Sequence, residues 1–252
     1  MEIVLLTALG VGGATVIGAV IGFIFKNLSH KFSDIVLSFA AGVMLAAAVL
    51  GLIIPAVEYA GENVIGVLIV VLGIFLGAIC INLLDKLVPH MHNFSGVGEE
   101  KHKESQRLGK VMLLVMAIAI HNLPEGIAAG VGFGSGDLTS AFIIAGGIAL
   151  QNIPEGMVII APMLSVGISK KRAFLYASLT GVVEVIGTFI GYFAVSIAGA
   201  ILPYALAFAG GTMLYVISDE MIPETHAHGS QRGATYALLI GFCLMLAFDI
   251  LI

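Results

Sequence analysis

Residues 121–126 read HNLPEG, and residues 151–156 read QNIPEG. Between them, His121, Asn122, Glu125, Asn152 and Glu155 supply an imidazole, two amides and two carboxylates. That donor set suits a divalent transition metal. On a helix, His121 and Glu125 lie four apart and share one face, and the three-residue steps Asn122–Glu125 and Asn152–Glu155 repeat one geometry. Gln151 stands in the second copy where the first has its histidine. Pro124 and Pro154 lack an N–H, so each leaves the carbonyl four residues earlier without its helical donor. Gly126 and Gly156 let a neighbouring backbone or a ligand come close.

The elements that must carry these motifs are membrane helices. Of 252 residues, 59% are apolar and 11% charged, with a mean hydropathy of +1.09. A soluble domain carries roughly 25% charged residues, so this chain cannot cover itself with polar side chains and belongs in a lipid bilayer. Breaks at charged and Gly/Pro-rich stretches divide it into eight spans of about 20 residues each, at 3–25, 34–56, 64–86, 110–132, 138–164, 171–195, 197–218 and 233–252. The fold class is therefore an all-α membrane protein with a single transport domain over 1–252. The chain opens Met-Glu with no basic stretch before the first apolar run, so that run is expected to stay as a span.

Orientation follows from the basic residues. All 11 Lys and Arg fall in the connections after spans one, three, five and seven, and the alternate connections have none. Cytoplasmic loops carry the Lys and Arg, which predicts both termini outside a plasma membrane. The long polar segment at about 89–109 is then a mobile cytoplasmic loop, with His90, His92 and His102 in position to capture an ion. Cys80 and Cys243 lie in apolar runs without metal-site spacing and are read as packing residues.

Glu125, Glu155 and Glu184 lie at hydrocarbon depth. A carboxylate at a helix centre costs on the order of 3 kcal/mol, so the three approach roughly 9 kcal/mol before compensation. No Lys or Arg lies within a span interior, which leaves a bound cation as the leading compensation. The two motifs fall on successive, oppositely directed spans and meet at mid-membrane. That is the mark of an inverted repeat whose broken helices build a transporter site.

Taken together, HNLPEG, QNIPEG, the eight spans, the outward termini and the His-bearing loop resemble the ZIP (Zrt/Irt-like) family of divalent metal transporters, in particular its prokaryotic zinc-transporting branch. The resemblance implies that His121, Glu125 and Glu155 hold a first metal, with Met44 of span two as a thioether contact. It implies a second position at Asn122, Asn152 and Glu184, with the glutamates bridging. Many relatives have histidine where this chain has Gln151, and some have Asp at Asn152, so the second position is expected to be weak or absent here. The resemblance also implies an inverted-repeat bundle in which spans one, four, five and six slide against the rest. It suggests an exit route through Asp219, Glu220, Glu224, His226 and His228, where the competing reading is a solvated helix end.

The function expected from these residues is import of divalent metal, zinc foremost, with Cd²⁺, Fe²⁺ and Mn²⁺ also suited to the ligands. Ligands bind deprotonated, so uptake is expected to weaken at low pH. The alternatives are an exporter with the same site chemistry and an intramembrane metal hydrolase, against which the absence of HExxH counts. The chain is expected not to be an enzyme, to hold no prosthetic group and to bind no nucleic acid. Its partners are the transported ions and the lipid bilayer, and a homodimer is compatible with the sequence.

Overall fold

A computed structural model describes residues 1–24, 29–87, 99–197 and 199–251. Among the described residues every regular element is helical. The chain forms α1 (Glu2–Ile24), α2 (His30–Ala46), α3 (Ile54–Ala60), α4 (Val64–Leu87), α5 (Glu99–Gly134), α6 (Leu138–Val158), α7 (Ile160–Ser165), α8 (Lys170–Ile197), α9 (Leu202–Val216), α10 (Ile222–His226) and α11 (Gln231–Leu251). Several of these join end to end into longer rods. Seven helical stretches among the described residues are long and apolar enough to cross a membrane: 2–24, 30–60, 64–83, 138–165, 170–197, 199–226 and 231–251. This is a multi-pass helical membrane protein.

Helix α5 differs from the sequence expectation at its start. It begins at Glu99, inside the polar stretch read as a loop, and carries the helix on through residue 110 into the fourth apolar run. The reason is local composition: EEKHKESQR is rich in Glu, Lys, Gln and Arg, all good helix formers. His90 and His92 lie outside the described residues, and His102 falls within α5.

Two rods change pitch part-way. Ala47–Ile53, between α2 and α3, and Ile217–Met221, between α9 and α10, are π-helical. The N–H of Ile54 donates to the carbonyl of Val49, and that of Ile222 to Ile217, each five residues back. In both cases a proline, Pro55 or Pro223, follows immediately. A proline cannot donate to the carbonyl four residues earlier, and the ladder slips by one residue around it. Such π-bulges occur often at functional sites.

The turn from α5 to α6 is tight. Gly136 adopts φ +86°, a conformation that glycine takes without steric cost. Asp137 then caps α6, its carboxylate accepting from the N–H groups of Thr139 and Ser140 and from the Ser140 hydroxyl. These bonds, the Ser140 hydroxyl foremost, hold the Asp137 carboxyl below its ordinary range.

The helices pack as two groups. In one, α1 lies against α6 and α8, and α5 lies along α8. In the other, α2 packs on α11, and α3 and α4 pack on α9. The groups meet where α2 crosses α6 and where α5 touches α9. The main apolar core, which includes Ala41, Met44, Ala48, Ile144, Ile148, Leu206 and Met213, spans this seam. A smaller cluster of Ala19, Val115, Ile118, Ile159, Ile160, Met163, Ala173 and Ala177 lies within the first group. Helices α11 and α4 are the most exposed of these stretches, with 22% and 28% of their apolar windows buried; on α4, Leu68, Leu72, Phe75 and Ile79 face outward, as a lipid-facing helix requires.

Candidate metal site

The two motifs meet inside the first group. Residues His121, Asn122 and Glu125 come from α5, Gln151, Asn152 and Glu155 from α6, and Glu184 from α8, and all seven are buried. The motif glycines explain how three helices come this close. A Cβ on Gly126 would strike the carbonyl oxygen of Glu184, and one on Gly156 would strike that of Thr15. Both glycines therefore serve backbone approach, one pressing α5 onto α8 and the other α6 onto α1. Pro124 and Pro154 lie within continuous helices.

Amides from α6 hold two of the three carboxylates. The Gln151 Nε2 donates to Glu125 Oε1 at 2.6 Å. The Asn152 Nδ2 lies 2.7 Å from both oxygens of Glu184 and 3.1 Å from the Val11 carbonyl of α1. Buried polar atoms without a partner gather alongside: both side-chain polar atoms of Asn122, Glu125 Oε2, Gln151 Oε1, Asn152 Oδ1, Glu155 Oε2 and Thr15 Oγ1. Buried polar atoms are nearly always paired, so this concentration of free oxygens marks a place built for a ligand. Among the described residues no three His, Cys, Asp or Glu side chains converge tightly enough to enclose an ion as they stand.

Met44 is buried in the main core, in the last turn of α2 before the first π segment. The second π segment reaches the site directly. Glu220 Oε1 lies 2.8 Å from His121 Nε2, a contact that joins the two helix groups. A cavity of about 440 Å³ opens from there, lined by His121 and Glu155 at its floor and by Asp219, Glu220 and Glu224 toward its rim, where Asp219 and Glu224 are exposed. The rim lies at the end of the molecule where His228, in the turn after α10, bonds Asp34 near the start of α2 at 3.0 Å. Lys31 and Arg232, at the starts of α2 and α11, lie beside these two residues in the chain.

His226 is not drawn into the cavity. Its Nδ1 lies 2.8 Å from the Ile222 carbonyl and its Nε2 lies 3.3 Å from the Thr235 hydroxyl, contacts that close the helix end. Glu224 sits on the exposed rim of the cavity. Sequence reading missed Thr15 and the Val11 carbonyl. They sit four apart on α1, and their only advance signal was the small-residue pattern on which α6 packs.

A polytopic helical membrane protein with a buried, metal-suited polar site between its helices is the class that fold and site define. The chain belongs to the ZIP zinc transporter family, whose sequence pattern matches residues 95–249. It is similar to zinc transporter GufA of Myxococcus xanthus, 39% identical over 97% of each chain. It is also similar to zinc transporter ZIPB of Bordetella bronchiseptica, 37% identical over 94% of this chain and 77% of that one. Human zinc transporter ZIP11 is 33% identical over 94% of each. The family is one of transporters and not of enzymes, which removes the hydrolase alternative.

Proposed function

We propose that this protein carries divalent transition-metal ions, zinc foremost, through the membrane into the cytoplasm. The ion sits between His121, Glu125 and Glu155, with Met44 as a thioether neighbour and Asn122 beside it. The reading rests above all on the free buried oxygens of Glu125 and Glu155, in a chain that puts no Lys or Arg at that depth. Imidazole and carboxylate together suit Zn²⁺, and equally Cd²⁺, Fe²⁺ and Mn²⁺. The relatives' names, all zinc transporters, favour zinc among these.

In this reading α5 carries the fourth of eight crossings and both termini lie outside, which places the cavity mouth at the cytoplasm. The released ion then passes Asp219 and Glu224 into the cytoplasm, and Glu220 takes its place on His121. The separate packing of α1, α5, α6 and α8 supports a transport unit that slides against the remainder, with the two NxPEG helices as halves of an inverted repeat.

Reconstituted vesicles test it. Zinc uptake down an imposed gradient is expected in the wild-type protein, and a loss of about 100-fold or more in the His121→Ala, Glu125→Ala double variant, since both removed groups bind the ion directly. Uptake that survives in the double variant discards the site. Zinc flux carried only outward by molecules of known orientation discards import in favour of export.

A further inference from the structure

The contacts of one amide set how many ions the site takes. Asn152 offers two N–H hydrogens, yet its nitrogen faces three acceptors: the Val11 carbonyl at 3.1 Å and both Glu184 oxygens at 2.7 Å. One hydrogen goes to Val11, and the other is shared between the two oxygens of the carboxylate. The nitrogen thus stands in the fork of Glu184, where a cation bound by both oxygens would sit. Of the remaining carboxylates, Glu125 gives one oxygen to Gln151 and keeps Oε2 free, and Glu155 Oε2 is also free. The free oxygens therefore belong to Glu125 and Glu155, whereas Glu184 has both of its own engaged.

We infer that Asn152 occupies the place of a second cation on Glu184, so that this chain seats a single divalent ion. The inference rests on the metal site proposed above and narrows it: Glu184 is a wall of the site rather than a ligand. One divalent ion between Glu125 and Glu155 balances their two charges. The amide satisfies Glu184 by hydrogen bonding, and its link to Val11 ties the arrangement to α1. An Asp at position 152 would set carboxylate against carboxylate at the same separation, which a second cation relieves.

The test counts zinc bound to the purified full-length protein after equilibrium dialysis against Zn²⁺. Ions retained by a variant carrying His121→Ala, Glu125→Gln, Glu155→Gln and Glu184→Gln together are subtracted, which removes binding at loops and surface histidines and leaves no carboxylate in the site to hold a second ion. The expected difference is one ion for the wild type and two for Asn152→Asp. Glu184→Gln, which still accepts from Asn152, is expected to keep its one ion with affinity changed by no more than about threefold. Two ions in the wild type overturn the inference, as does an unchanged count in folded Asn152→Asp. A loss of about tenfold or more in affinity for Glu184→Gln also overturns it, and that variant decides the matter if Asn152→Asp does not fold. A difference of zero in the wild type has a separate meaning, because it removes the metal site itself.

Discussion

At the scale of single residues, the motif letters divide into two kinds of work. His121, Glu125 and Glu155 were legible in the sequence because ionisable groups at membrane depth demand a reason. The glycines were legible only as permissive, and their actual neighbours are the carbonyls of Glu184 and Thr15. A Cβ at either position meets backbone, which cannot swing aside as a side-chain tip does. Gly126→Ala and Gly156→Ala are accordingly expected to destabilise the fold by about 1–3 kcal/mol or more. Thermal unfolding in detergent reads this directly, and an unshifted midpoint for both would contradict the packing described. The pairing of His121 with Glu220 could not be read in advance. These residues are 99 apart in the chain, and only the tertiary fold brings them together. Asn152 and Val11, 141 apart, pose the same difficulty.

At the scale of elements, the membrane rods were readable from hydropathy, and their ends fall within a few residues of expectation apart from the early start of α5 and the seventh rod, which runs on to His226 rather than ending at 218. What hydropathy does not carry is helix pitch. The π segments were foreshadowed only by Ile54-Pro55 and Ile222-Pro223, and proline within a membrane helix has several outcomes. Here the slip matters because it adds a residue to the turn that presents Glu220. Restoring a donor with Pro223→Ala allows an ordinary α ladder, which changes the phase of neighbouring side chains by about 100°. The expected result is a His121–Glu220 separation beyond hydrogen-bonding range in the structure of that variant, with the helix otherwise intact. A preserved contact would show that packing, and not the proline, sets the pitch.

At the scale of the whole molecule, the sliding motion proposed above would take place at the seam between the two helix groups. Composition predicted a helical membrane protein but not this partition, since which helices pair depends on surfaces of small residues meeting across the bundle. The seam offers a direct test at Ala47 of α2's π extension and Gly147 of α6. A Cβ built on Gly147 lies 3.7 Å from that of Ala47, within the range a disulfide spans. The Met245 side-chain end lies closer still, but it is flexible and can yield. With Cys80 and Cys243 replaced, an Ala47→Cys, Gly147→Cys pair is expected to support uptake when reduced and to block it when oxidised. Undiminished zinc flux in the crosslinked protein would mean that the groups do not slide at this point.

The acidic rim of the cavity has a kinetic meaning of its own. Asp219, Glu220 and Glu224 line one mouth, and a concave surface of like sign raises the local concentration of counter-ions. On the proposed route, a cation leaving His121 would linger in a shallow electrostatic well before it reached bulk water. Mobile salt flattens such a well over a Debye length of about 8 Å at physiological ionic strength. Unloading would then quicken as ionic strength rises, so the speed of the cycle answers to the salt of the compartment receiving the ion as well as to the chemistry that bound it.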